Sequence, residues 1–511
     1  MNLYSLLEAR FPREAEAPAL ILPGGRQLSY AGLATASARY AALLHECGVR
    51  PGDRVAVQVE KSAEALLLYL GCLRAGGVFL PLNPAYRRNE VEYFLGDAEP
   101  RLFVCDPARM SEAQELAWAA RVPLVHDLDA GGEGSLATAA ERMSEDFATV
   151  PRGADDLAAI IYTSGTTGRS KGAMLAHGHL ADNALALHRC WGFHPGDVLL
   201  HMLPTFHVHG LFVASHCALA NGSPMLFEPK FDAARALRLL ARATVFMGVP
   251  TYYTRLLQEP GLTREAVAGV RLFVSGSAPL LPETFVAFAE RTGHVILERY
   301  GMSEGGMFAS NPLEGERRRG TVGFPLPGME IRVVGADDRP LPAGEIGQIQ
   351  VRGREGAPVF AGYWRMAERT RQEFSADGYF RTGDLGRFDA DGYLAIVGRG
   401  KDLVISGGLN VYPKEVEEAI DALPGVAESA VIGLPHPDLG EAVAAVVVRR
   451  PGSAAPDAAG LIAVLRPQLA SFKLPKAVFF VEELPRNAMG KVQKNQLRQR
   501  FSLDSAEPPR S

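Results

Sequence analysis

The sequence predicts an α/β protein in two unequal parts. A large N-terminal domain of parallel-sheet βαβ layers carries a small barrel-like β module, and a smaller, mobile α+β domain follows. Three observations carry this. Helical and strand signals alternate over residues 28–125 and again after 158, the pattern of βαβ units. From about residue 320 the texture changes to glycine-punctuated short strands, and about the last hundred residues form a compact α+β pattern. At 511 residues the chain also exceeds one ordinary core.

Taken in order, "SYAGLATASARYAALLHECG" has helical periodicity and ends at Gly48; "DRVAVQVE" reads as a strand and "SAEALLLYLGCLRAGG" as a helix. "VFLPLNP" is a strand closed by prolines, and "RLFVCDP" and "VPLVHDL" are further short strands. Residues 129–153, rich in Gly, Ala, Ser and Glu, read as a surface connection. Strands resume with "LAAIIYTSG", "VLLHMLP", "PMLFEP", "TVFMGVP" and "RLFVSGSAP". "MEIRVVG", "GEIGQIQVRG" and "DGYLAIVG" suggest the antiparallel or barrel-like module. "GRGKDLVISGGLN", dense in glycine and charge, reads as a hinge, and the domain boundary falls near Lys401: 1–400 and 401–511. Beyond it come a helix over 413–422, strands near 427–433 and 442–449, a helix over 458–470 and a strand over 477–482.

With 53 basic and 58 acidic side chains, net charge is −5 and the signs are interspersed, which argues against a nucleic-acid partner. Cys47, Cys72, Cys105, Cys190 and Cys217 form no CxxC, as expected of reduced cytosolic thiols. The apolar run from Ala65 stops at Arg74, short of a membrane span, and the first twenty residues lack a signal core. The expectation is a cytoplasmic protein without a membrane partner, a monomer or weak homodimer.

The strongest local signal is "YTSGTTGRSKG", Tyr162 to Gly172, directly after the apolar "AAII". Small hydroxyl and glycine residues let backbone amides wrap phosphate oxygens, and the Arg and Lys supply compensating charge. It is not the ordinary P-loop, which counted from Gly165 needs glycine at 170, where Ser170 stands. Gly301–Gly305 matches the G-x-S-x-G elbow of hydrolases, yet only His436 follows Ser303 and no His-Gly-Gly tract precedes it. A non-catalytic nucleotide-binding module predicts a missing lysine or acid; Lys491, Glu304 and Asp384 are all present.

"YTSGTTGRSKG" resembles the phosphate-binding signature of the adenylate-forming superfamily of acyl-CoA synthetases, luciferases and peptide-adenylating domains. "RYGMSE" (299–304), "YFRTGDLG" (379–386), "GRGKDLVISGGLNVYPKEVE" (398–417) and "LPRNAMGKVQK" (484–494) follow in that family's order. The resemblance implies that a carboxylate attacks the α-phosphate of ATP, and that the thiol of coenzyme A then displaces AMP. By the same resemblance Thr163, Ser164, Gly165, Thr166, Thr167, Gly168 and Lys171 would hold the β- and γ-phosphates. Tyr300 would stack on adenine, Asp384 would take the ribose hydroxyls, and Arg399 would support ribose and phosphate. Ser277, Glu298, Arg299, Gly301, Met302 and Ser303 would flank the nucleotide. Glu304, with Thr163, would hold Mg²⁺. Lys491 would reach the carboxylate and α-phosphate. Rotation at the Lys401 hinge would exchange it for Ser406, Gly407 and Gly408, which would line the coenzyme A tunnel.

"LPTFHVHGL" (203–211) resembles the segment bordering the acyl pocket, implying that His207 lies near the carboxylate; His209 reads equally as a structural histidine. "LFVSGSAPL" (272–280) resembles a strand and turn beside the adenine and acyl pocket, which implies that Gly276 and Ser277 lie near the ligand. The helix opening at Pro250 carries Arg255, a surface arginine on the plain reading. Read as buried, its charge needs a partner, which a second substrate carboxylate supplies. "VPTYYTRLL" and the neighbouring motifs resemble the malonate-activating branch of the superfamily. This implies malonate, ATP and coenzyme A as substrates, with Arg255, His207 and Ser277 around the acid. The alternative is a broader ligase for methylmalonate, acetate or another short acid.

Overall fold

The computed structural model describes residues 2–163, 170–406, 409–452, 456–487 and 490–502. Its N-terminal part holds two mainly parallel sheets. In the six-stranded sheet the order is Leu124–Asp127, Leu102–Cys105, Arg54–Gln58, Val78–Pro81, Leu157–Thr163 and Lys171–Ala176, parallel except for the last pair. The inner strands are largely apolar on both faces, as burial between helices demands, while the edge strand Leu124–Asp127 is only half-buried. Helices such as Tyr30–Glu46 and Ala63–Arg74 provide the cover, each capped by a serine hydroxyl, Ser29 and Ser62.

The nine-stranded sheet has a parallel centre: Met225–Phe227, Leu199–His201, Val245–Gly248, Leu272–Ser275 and Leu297–Met302. The carboxyl ends of these strands lead into the segments containing His207, Ser277 and Glu304. The glycine-punctuated module is an antiparallel meander of Met329–Val334, Gly347–Gly353, Phe380–Phe388 and Leu394–Arg399. Past residue 404 a five-stranded sheet with helices Pro413–Asp421, Ala458–Leu465 and Lys494–Arg500 forms the α+β part.

Apolar clusters respect this division. Those of the first part end at Leu394 and Ile396; those of the second begin at Val404. Polar contacts cross instead, with Arg450 paired to Glu283 at 2.6 Å and Lys414 donating to the Ile396 carbonyl at 2.8 Å.

Two expectations change, and the stretch read as a hinge gains a defined local conformation. Residues 129–153 include a helix, Ser135–Ala140, that buries Leu136 and Ala140, and Val150 N–H donates to the Arg74 carbonyl. The glycine-dense stretch after 398 forms a 3₁₀ turn, Gly400–Asp402, and the short strands Val404–Ser406 and Leu409–Val411. The helix expected over 458–470 stops at Leu465: Arg466 is still in helical backbone, but Pro467 has no N–H to carry the hydrogen-bond ladder on.

Candidate active site

A cavity of about 690 Å³ lies beyond the carboxyl ends of the nine-stranded sheet's parallel strands, where open α/β sheets take ligands. Thr163, Ser170 and Lys171 line one end, Thr382, Gly383 and Arg399 another, and Asn487 and Lys491 reach in from the C-terminal part.

At the first end Thr163 and Lys171 are register partners, so the strand ends flanking 164–169 face each other. Ser164, Gly165, Thr166, Thr167 and Gly168 lie outside the described residues, as do Gly407 and Gly408. Thr163 donates its hydroxyl to Glu304 Oε1 at 3.4 Å, and Tyr363 donates to the same oxygen at 3.2 Å. Glu304 is buried. A buried carboxylate beside a hydroxyl is a hard-oxygen pair of the kind that could hold Mg²⁺. Among the described residues no three His, Cys, Asp or Glu side chains cluster into a protein-only metal site.

At the second end Asp384 and Arg399 face each other across adjacent strands. Arg399 Nε lies 2.9 Å from Asp384 Oδ1, and Tyr300 donates its hydroxyl to Oδ2 at 2.5 Å. Gly301, Met302 and Ser303 line the cavity, whereas Tyr300 and Asp384 are absent from its lining, linked to it through Arg399. Glu298 is a correction. Strand alternation puts Arg299 and Gly301 on the cavity side and turns Glu298 away. Its buried carboxyl has Oε1 without a partner among the described residues, and burial pushes its pKa up to about 7.

Between the two ends His207, His209, Ser277 and Arg299 gather on the wall. Ser277 Oγ and His209 Nδ1 are 3.2 Å apart, and Ser277 holds a left-handed φ of 73°. Arg299 is 4% exposed, and its Nε and Nη2, like His209 Nε2, have no hydrogen-bond partner among the described residues. Its guanidinium lies flat on Gly276, where a Cβ would fall 2.4 Å from Cζ. Burial lowers the Arg299 pKa to about 9 and that of His207 to about 4, Arg299 and Lys491 adding to the latter fall. Burial likewise keeps His209 neutral.

His209 is carried there by a π-helix, His209–Ser215, a rare element that is frequent at functional sites. The Gly210 carbonyl accepts from Ser215 Oγ and from His201 Nε2, both at 2.9 Å. A carbonyl only accepts, so Nε2 carries the His201 proton and Nδ1 is left to accept from Lys61 Nζ, 2.8 Å away.

The expected role of Arg255 does not hold. The helix begins at Pro250 as read, and Tyr253 and Leu256, three apart, turn inward. Arg255 therefore faces outward; it is exposed and absent from the cavity wall. Lys491 does line the cavity, and burial, aided by Arg399, lowers its pKa to about 8. Lys401 lines it from the 3₁₀ turn, while Ser406 is buried in its own hairpin away from it. Arg369 and Glu373 also line the cavity. No local pattern announced them, since the helix Ala367–Gln372 reads as a charged surface element.

Models of two families match the chain, the AMP-binding enzymes over residues 7–364 and the AMP-binding enzyme C-terminal domain over 415–491. The chain is 54% identical to MatB of Rhodopseudomonas palustris, whose ATP-bound crystal structure superposes with a TM-score of 0.95 over 98% of both chains. It is 35% identical to a malonate–CoA ligase of Arabidopsis thaliana over 90% of this chain and 79% of that protein. To a sulfoacetate–CoA ligase of Cupriavidus necator it is 36% identical over 97% of each. A cavity lined by the phosphate hairpin, Glu304, Arg399 and Lys491, in a chain matched along most of its length, belongs to a member of the AMP-binding enzyme family.

Proposed function

We propose that this protein ligates malonate to coenzyme A with ATP, through malonyl-adenylate, giving malonyl-CoA, AMP and pyrophosphate. The observation that supports malonate is Arg299, a buried guanidinium facing the acyl wall with two unpaired nitrogens. An unpaired buried charge is costly, and a second substrate carboxylate supplies the partner in a geometrically selective way. Two of the relatives named above are ligases of short acids that carry a second anionic group.

In this reading one malonate carboxylate meets Arg299, with His207 and Ser277 beside it, and the other attacks the α-phosphate as the bond to pyrophosphate breaks. Lys491, directed into the cavity, stabilises charge on the attacked phosphate. Thr163 and Lys171 take the phosphate tail, and Tyr300, Asp384 and Arg399 the nucleoside. A magnesium ion held by Glu304 and Thr163 would neutralise phosphate charge. The part beyond Lys401 then turns on the Gly400–Asp402 hinge, withdrawing Lys491 and presenting the Ser406 hairpin to coenzyme A. Its sulfur attacks the acyl carbon and AMP leaves. Assaying pyrophosphate release with malonate, methylmalonate and acetate tests this: malonate is expected to dominate, and acetate activated equally well overturns the malonate assignment.

A further inference from the structure

At the phosphate end of the cavity one carboxylate oxygen serves two cations. Glu373 Oε1 lies 3.2 Å from Lys171 Nζ and 2.7 Å from Arg369 Nη2. All three side chains line the cavity, and those of Lys171 and Glu373 are 11% and 19% exposed. Lys171 is held from the other side by the Tyr363 ring, 4.2 Å from its ammonium, and Tyr363 in turn donates to Glu304. The Glu373 backbone is fixed independently, its N–H donating to the Arg369 and Thr370 carbonyls and its carbonyl accepting from Arg381 N–H.

We propose that Glu373 is a built-in stand-in for a phosphate oxygen, and that Arg369 joins Lys171 in taking the pyrophosphate end of the nucleotide once this carboxylate yields. A single oxygen bridging an ammonium and a guanidinium occupies the place that a bridging phosphate oxygen takes between the same groups. Without ligand the carboxylate satisfies two cations that otherwise stand unpaired in a partly desolvated wall. With the triphosphate bound, stronger oxygens displace it. After the α-phosphate has been attacked, Glu373 recaptures the cations and competes against the departing pyrophosphate. Glu373 thus weakens phosphate binding and hastens product release, while Arg369 does the opposite. The inference rests on the ATP-dependent reading of this cavity.

Titration calorimetry of the full chain with sodium pyrophosphate tests it without turnover. Glu373→Gln, which keeps shape and removes charge, is expected to bind about fivefold more tightly. Arg369→Met is expected to bind about tenfold more weakly. Inhibition of turnover by pyrophosphate should move the same way in each variant, with melting temperatures near that of the parent. If both substitutions weaken binding, the pair is only structural, and an unchanged affinity in Glu373→Gln also overturns the inference. Absence of malonate-dependent turnover in the parent bears on the proposed function alone.

Discussion

Arg299 and Gly276 work as one unit, since the guanidinium rests on the space where any Cβ would stand. Arg299→Met should therefore cut kcat/KM for malonate by about 10²-fold or more, with KM for ATP little changed. Arg255→Ala, on the exposed face of its helix, should leave both constants near parental values. Steady-state kinetics on the two variants separates these outcomes. Gly276→Ala should mimic the loss of Arg299 by pushing its guanidinium out of place. Proton equilibria act at the same scale. Burial brings Lys491 from its ordinary 10.5 to about 8. In the proposed reaction its charged form acts at the α-phosphate, so adenylation should decline as pH rises through about 8, where a solvated lysine would stay charged toward 10.5. A pyrophosphate-exchange pH profile checks this, and a limb displaced to near 10 contradicts it. The sequence suggested a buried cation for a second carboxylate and placed it at Arg255, which is exposed, whereas the buried guanidinium on the cavity wall is Arg299. Arg255 looked buried because its neighbours are apolar, but one helical turn presents two faces. Arg299 sits in a strand whose flanking residues are buried, and there the charge has no outer face to escape to.

Secondary structure was far more legible than side-chain direction. The βαβ alternation located the parallel strands because apolar runs bounded by Gly and Pro mark buried strands whatever their neighbours. The strand before the glycine-rich loop was legible for the same reason, but its antiparallel partner, which pairs Lys171 with Thr163, was not read from the sequence. The π-helix His209–Ser215 was not, because it depends on residues distant in sequence. Lys61 fixes the proton on His201, and His201 and Ser215 together hold the Gly210 carbonyl. Lys61→Met leaves His201 Nδ1 buried without its donor, which should cost about 1–3 kcal/mol. Thermal melting measures the loss. KM for malonate should rise more than KM for ATP, since His207 and His209 lie at the acyl wall. Arg369 and Glu373 escaped notice in the same way, brought to the cavity by packing of the meander with no local pattern to mark them.

At the scale of the whole molecule the boundary expected near Lys401 falls at a break between the apolar clusters of the described residues, and polar contacts cross it, among them Arg450 with Glu283 and Lys414 with a carbonyl. Lys401→Pro should retain adenylate formation and slow thioester formation by more than about tenfold, because the proline ring fixes φ at the turning point. Single-turnover assays of each half-reaction distinguish this from general damage. The polar seam has a thermal consequence. Heat capacity changes with apolar surface exposed to water, and the contacts named across this seam among the described residues, an ion pair, a carbonyl contact and the Lys491 and Asn487 side chains, are polar, so the proposed rotation should expose little apolar surface. The balance between the two arrangements should then carry almost no heat-capacity term, so that warming accelerates both half-reactions without moving the population from one to the other.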